Sequence, residues 1–288
     1  MYAITGITGQ VGGALARTLL AAHQPVRAIV RNLEKGQHWQ EQGCELACAE
    51  MGDATALAAA FSGAQAAFIL LPPTFDPTPG FAEARAFIDA VKSALVAARP
   101  GRVVCLSTIG AQAAQPNLLT QLSMMEQALS ELDLPICFLR PGWFMENAVW
   151  DIASAREQGV ITSFLQPLDK AVPMVATADV GRVAAELLQE SWSGRRIVEL
   201  EGPRRVAPND IAATLGGILG RSVRADVVAR ETWAELFASQ GMRNPLPRMQ
   251  MLDGFNEGWI DFAGETVNGE VELDKVLREL AGRNCSPS

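Results

Sequence analysis

The chain has 288 residues, of which 49% are apolar and 19% charged, with 24 basic against 32 acidic side chains. This composition supports a buried core and excludes extensive disorder. A net charge of −8 disfavours nucleic acid, whose phosphates need a basic surface, and no apolar run reaches the roughly 18–20 residues needed to span a bilayer.

Tyr2-Ala3-Ile4-Thr5 reads as a short strand, followed by a glycine loop over Gly6–Gly12 and a helix from Ala14 to Ala22. Val26–Val30 is a second strand and Cys44–Cys48 a weak third. Asp53 precedes a helix over Ala54–Phe61, Ala66–Leu71 is an apolar fourth strand, and Pro72-Pro73 ends it. A long helix over Phe81–Ala98 leads to a strand at Val103–Leu106, a loop over Ala111–Asn117, a helix over Leu118–Leu132 and a sixth strand at Ile136–Leu139. Strands alternating with helices imply right-handed crossovers and a parallel sheet. Beyond Phe144 the rhythm loosens: helices over Val180–Glu190, Pro208–Gly220, Thr232–Ser239 and Pro245–Asn256, with strands at Arg196–Glu201 and Val223–Val228. The expected fold class is α/β, a Rossmann-type doubly wound parallel sheet with a smaller C-terminal α/β lobe. Residues 1–144 form the dinucleotide-binding domain and 145–288 the substrate-binding lobe, with re-entry of the chain into the sheet left open. Residues 284–288 are expected to fray.

Gly6, Gly9 and Gly12 are spaced G-x-x-G-x-x-G between a strand and a helix, the context in which backbone N–H groups and a helix amino end hold a pyrophosphate. An NAD site places a carboxylate after the second strand; here that position is Arg31, with Lys35 nearby. A guanidinium grips a 2′-phosphate that a carboxylate would repel, so the expected cofactor is NADP(H), with NAD(H) second. Asp53 serves either as a helix cap or as an acceptor for the adenine amino group. Cys44 and Cys48 lack the neighbouring ligands of a zinc site, so no metal is expected. Five cysteines, an odd number, with no signal-like leader point to a reducing cytoplasm.

The stretch Thr5-Gly6-Ile7-Thr8-Gly9-Gln10-Val11-Gly12, then Ile29-Val30-Arg31-Asn32, Gly52-Asp53, Leu70–Pro73, Leu106-Ser107, Leu139–Asn147, Pro173–Val175 and Ala178–Arg182, resembles the NmrA-like branch of the atypical short-chain dehydrogenases. The resemblance runs to about Gly220. It implies that Gly6, Thr8, Gly9, Gln10 and Val11 line the pyrophosphate, that Arg31 meets the 2′-phosphate, and that Leu71 and Pro72 lie under the adenosine ribose and diphosphate. It further implies that Ser107, Pro141, Gly142 and Trp143 approach the nicotinamide. Members of the family include NADPH-dependent quinone reductases, triphenylmethane-dye reductases, iminium reductases and non-catalytic nucleotide sensors.

The larger superfamily donates a proton through Tyr-x-x-x-Lys. Here Leu118 and Leu122 stand near those positions, Tyr2 is the one tyrosine, and His23 and His38 belong to the nucleotide half. Conventional ketone reduction is therefore disfavoured. The expected activity is hydride transfer from NADPH to an electron-poor conjugated or aromatic small molecule of quinone, iminium or cationic-dye type. Ser107 and Thr108 are the catalytic candidates, as hydroxyls that orient a polar atom rather than strong acids. Phe75, Trp143, Phe144, Met145, Asn147, Trp150 and Met242 are the candidate substrate contacts, a set suited to a flat aromatic acceptor. Glu146 and Asn147 alternatively fix their loop, Arg140 pairs with a carboxylate, and Asp179 reads as a helix cap. The alternatives to an enzyme are a non-catalytic NAD(P)(H)-sensing regulator with a protein partner, and a scaffold whose nucleotide is structural. The 249–261 stretch, with Phe255, Glu257 and Trp259, folds onto the pocket or forms a homodimer interface.

Overall fold

The computed structural model describes residues 1–283, so the expectation for the tail at 284–288 lies outside the described residues. Eight parallel strands form one sheet. In chain order these are β1 (Tyr2–Ile4), β2 (Val26–Val30), β3 (Glu45–Cys48), β4 (Ala66–Ile69), β5 (Val103–Leu106), β6 (Ile136–Pro141), β10 (Arg195–Glu201) and β12 (Thr266–Asn268). Their spatial order is β12-β10-β6-β5-β4-β1-β2-β3. Two pairs of short strands lie outside it: β7 (Trp143–Phe144) with β9 (Met174–Val175), and β8 (Val160–Ser163) with β11 (Arg224–Val227). After residue 144 the chain thus returns to the large sheet twice, through β10 beside β6 and β12 beside β10.

Successive side chains of a strand point to opposite faces, and here both faces are covered. Tyr2, Ile4, Ala66, Phe68, Val104, Cys137 and Leu139 join one core with the helices α1 (Gln10–Ala21) and α7 (Thr177–Gln189). Their neighbours Ala3, Ala67, Ile69, Val103, Cys105, Ile136 and Phe138 join a second core with α3 (Ala54–Phe61), α4 (Ala82–Ala98) and α5 (Thr120–Leu129). A short α2 (Gln37–Glu41) contributes Trp39 to the first core. A third core belongs to the C-terminal half and gathers α6 (Ile152–Gln158), α8 (Pro208–Leu219), α9 (Trp233–Ser239), α10 (Leu246–Glu257) and α11 (Leu273–Arg283).

Because all eight strands run the same way, their carboxyl ends share one edge. The order turns about β1, with β2 on one side and β4 on the other. A crevice opens at such a reversal, and ligands of open α/β sheets sit there. Thr5 locks this junction: its hydroxyl donates to Phe68 O (3.0 Å) and accepts from Leu70 N (2.8 Å).

Asp151 closes the 3-10 segment Met145–Asp151, where burial pushes its carboxyl up to about 6. The folded chain then holds this proton more tightly than the unfolded chain. The stabilising contribution is present below the ordinary aspartate value and is lost as pH rises through about 6. Asp151→Asn is expected to raise stability at pH ~8 by about 1–2 kcal/mol and to do little near pH ~4. Thermal unfolding at the two pH values measures this, and equal shifts at both would contradict it.

Candidate functional site

The loop after β1 shows why three glycines are needed. A Cβ at Gly12 would lie 2.3 Å from Gly6 O and 2.9 Å from Ile7 Cα, so the first turn of α1 rides directly on the strand end. Gly9 N donates to Gly6 O (3.0 Å) and Gly13 N to Gly9 O (2.9 Å). The first-turn N–H groups of a helix have no intrahelical partner, and those of Gln10, Val11 and Gly12 are the ones at this amino end. Thr8, Gly9 and Gln10 are exposed while Val11 and Gly12 are buried. The loop is thus a cradle of backbone donors open on one side, which fits a dinucleotide pyrophosphate.

At the ends of the flanking strands the other cofactor candidates take their places along the same edge. Arg31 and Lys35 follow β2, both exposed and without an ion pair among the described residues. Asp53 follows β3 and caps α3, its Oδ1 accepting from Thr55 N (3.0 Å) and Ala56 N (2.9 Å). Leu71 is buried and Pro72 half-buried after β4, and Ser107 is buried after β5. Pro141 ends β6. Gly142 is required by a neighbour within the chain, since a Cβ there would lie 2.7 Å from Pro173 O.

Ser107 donates its hydroxyl to Glu126 Oε1 at 2.5 Å. Glu126 Oε1 also accepts from Arg140 Nε (2.9 Å) and Oε2 from Arg140 Nη2 (2.6 Å). Arg140 reaches Gln112 Oε1 (3.0 Å) and Glu199 Oε1 (3.4 Å) through Nη1. Arg140 and Glu199 are register partners on β6 and β10, which puts them side by side on the face covered by α5. Burial works against the Arg140 charge, but the bonds from Glu126 and Glu199 outweigh it and hold the guanidinium above its usual pKa. Sequence reasoning gave Arg140 a carboxylate partner; that Ser107 and Glu199 belong to the same network depends on contacts 19 and 59 residues apart.

The aromatic candidates separate. Trp143 meets Phe255 of α10 edge to face, with ring centroids 5.2 Å apart. The 249–261 stretch therefore folds onto its own chain beside β7. Phe75 is exposed on the loop after β4, and that loop is tied to the turn carrying Met242. Asp76 accepts from Arg243 N (3.0 Å) and Asn244 N (2.7 Å), and Asn244 Nδ2 donates to Pro77 O (2.9 Å). These backbone donors hold the Asp76 carboxyl below its usual value. Phe75 and Met242 thus border one rim.

Phe144, Trp150 and Asn147 do not join Trp143, whereas Met145 lies in the core on which Trp143 packs. Phe144 is the next residue of a strand, so it points the opposite way and packs on the α1–α7 side. Met145 is 2% exposed and fills the third core. Trp150 is 85% exposed and covers nothing among the described residues, and Asn147 is also exposed. Glu146 fixes the loop: its Oε1 accepts from Thr177 N (2.9 Å) and Thr177 Oγ1 (2.6 Å). Burial raises its carboxyl pKa against the pull of those bonds. Asp179 is not the cap of α7, because the helix begins at Thr177, earlier than its apolar run suggests. Its carboxylate instead accepts from Glu270 N (2.9 Å) and Val271 N (2.8 Å) and pairs with Arg182. Leu118 and Leu122, at the places of the superfamily's tyrosine and lysine, are buried and half-buried apolar residues. Tyr2 is buried within the sheet core.

The description of the NmrA-like family matches residues 2–272. The chain belongs to the NmrA-like family. It is 27% identical over 259 residues to the NAD(P)H azoreductase of Xenophilus azovorans, covering 89% of this chain and 85% of that one. It is 27% identical over 284 residues to quinone oxidoreductase 2 of Escherichia coli strain K12, covering 98% and 94%. The crystal structure of that NADPH-dependent E. coli enzyme complexed with NADPH superposes with a TM-score of 0.77 at 25% identity, covering 98% of this chain and 95% of that one. The Citrobacter sp. triphenylmethane reductase complexed with NADP(H) gives a TM-score of 0.77 at 21% identity, covering 98% and 99%, and so shares the fold. Among the described residues no helix is long and apolar enough to cross a membrane.

Proposed function

We propose that this protein is an NADPH-dependent reductase that delivers hydride to an electron-poor conjugated or aromatic small molecule without a tyrosine–lysine acid. The observation that carries the reading is the open cradle of Gly6–Gly12 with an exposed Arg31, without an ion pair among the described residues, at the next strand end. The names of the relatives support a reductase using reduced nicotinamide.

NADPH would supply a hydride, whose electron pair leaves the C4–H bond and forms a new C–H bond on an iminium or triarylmethyl carbon, or a new O–H bond on a quinone oxygen. An iminium or triarylmethyl cation becomes neutral in that step and needs no proton. A quinone becomes a resonance-stabilised anion that water can protonate afterwards. A ketone would become an alkoxide that needs an acid at once, and Ser107 has its proton committed to Glu126. The chain's contribution is to hold the two partners together in an apolar place, with Trp143 braced by Phe255.

The test is loss of NADPH absorbance against quinones, triarylmethyl cations, iminium ions and simple ketones. Turnover of the first three classes and not of ketones is expected; ketone turnover at comparable rates would overturn the reading. Absence of turnover with every class, despite tight nucleotide binding, would favour the sensor. Arg31→Ala is expected to weaken NADPH binding by about 10–100-fold and NADH binding little, because one charge-assisted contact to the 2′-phosphate is lost. Fluorescence titration of both nucleotides measures this, and parallel losses would assign Arg31 to the loop instead.

A further inference from the structure

We propose that Glu126, Arg140 and Glu199 hold Ser107 with only its lone pairs free in an electronegative corner, which selects cationic acceptors over quinones by charge attraction. This rests on the reading that the edge beyond β5 and β6 receives the molecule to be reduced.

A serine hydroxyl has one proton and two lone pairs. At 2.5 Å from Glu126 Oε1, the Ser107 proton is directed toward the carboxylate. Only lone pairs remain for anything at the strand ends. The serine has little freedom to turn, being 3% exposed with its backbone N–H bonded to Leu139 O (2.7 Å). Glu126 is itself fixed by two bonds from Arg140. Glu199 is fixed by Arg140 and by Ala263 N and Gly264 N, each bonding its Oε2 at 3.0 and 2.8 Å.

The cluster contains two carboxylates and one guanidinium, an excess of one negative charge. All three side chains are at most 11% exposed, so water screens that excess weakly. Its effect has opposite signs for the two kinds of acceptor. A cation is attracted as it binds. A quinone accumulates negative charge as it accepts hydride and is opposed. Glu126 and Glu199 are positioning residues in this scheme, acting through Ser107 and through the field. A purely structural role would weaken both acceptors together.

The test uses the full chain as wild type, Glu126→Gln and Ser107→Ala, with melting temperature and NADPH affinity recorded for each. Malachite green is titrated onto the NADP⁺-loaded protein and followed by the shift of its visible band. Turnover with NADPH is measured with malachite green and with menadione. Glu126→Gln is expected to weaken dye binding and dye kcat/KM by about tenfold, and to leave menadione unchanged or faster. Ser107→Ala is expected to weaken dye binding by a smaller factor and to lower dye kcat/KM more than menadione kcat/KM. Equal losses for both acceptors, or unchanged dye affinity in the variants, would overturn the proposal. Should Glu126→Gln not fold, unchanged dye affinity in Ser107→Ala overturns it alone. If the wild type reduces neither compound, the proposed reaction fails while the dye titration still decides the charge selection.

Discussion

Replacing Gly12 by alanine is expected to raise the NADPH dissociation constant by at least about 100-fold, from the loss of two or more charge-assisted bonds at roughly 1.5–3 kcal/mol each. The added methyl would meet Gly6 O at 2.3 Å, Gly6 C at 2.7 Å and Ile7 Cα at 2.9 Å. All three are backbone atoms of the turn that follows β1, so no side-chain rotation relieves the clash. The first turn of α1 must back away from β1, and the N–H groups of residues 10–12 leave the arc in which they converge. The rest of α1 stays anchored by Leu15, Ala16 and Leu19, which are fully buried against the sheet and α7. The variant should therefore remain folded by far-UV circular dichroism while losing its nucleotide. An NADPH affinity within about threefold of the parent would show that the amino end of α1 does not hold the pyrophosphate.

This loop was legible because everything it needs is local. A strand, three glycines at fixed spacing and a helix lie within 21 residues, and Arg31 is placed by the end of the next strand. The β1, β2, β4, β5 and β6 strands were legible for a related reason: largely buried on both faces, they read as apolar runs between breakers, whereas β3 lies exposed at the sheet edge and gives only a weak signal. The C-terminal half defeats that reasoning. The β7, β9 and β12 strands have two or three residues, and β8 has four with two polar ones, so each depends on a distant partner for its existence. Residues 273–283 are a different matter. Leu273, Val276, Leu277, Leu280 and Ala281 are all buried and recur at helical spacing, a signal the sequence carries and that would have found α11.

The aromatic cluster was half legible. Aromatic composition after β6 marks an apolar group, but Trp143, Phe144 and Met145 are consecutive, and the pairing of β7 with β9 decides which of them faces α10. Asp179 was misread because its true partners, Glu270 N and Val271 N, lie 91 and 92 residues away. Nothing in the spacing around residue 179 announces them.

Arg140→Met is expected to cost about 3–5 kcal/mol of stability, the range for removing one member of a buried ion pair, and to lower the melting temperature by roughly 10 °C. Methionine preserves much of the arginine stem, so the loss reflects the charge rather than a cavity. Glu126, 9% exposed, would keep only Ser107 as a donor, whereas Glu199 would keep Ala263 N and Gly264 N. Glu126 is thus the less compensated of the two. Adding Glu126→Leu removes the orphaned charge and should recover part of the loss, a coupling that a double-mutant cycle reads directly. A loss below about 1 kcal/mol would place this pair among exposed ion pairs and leave the strand ends held by apolar packing alone.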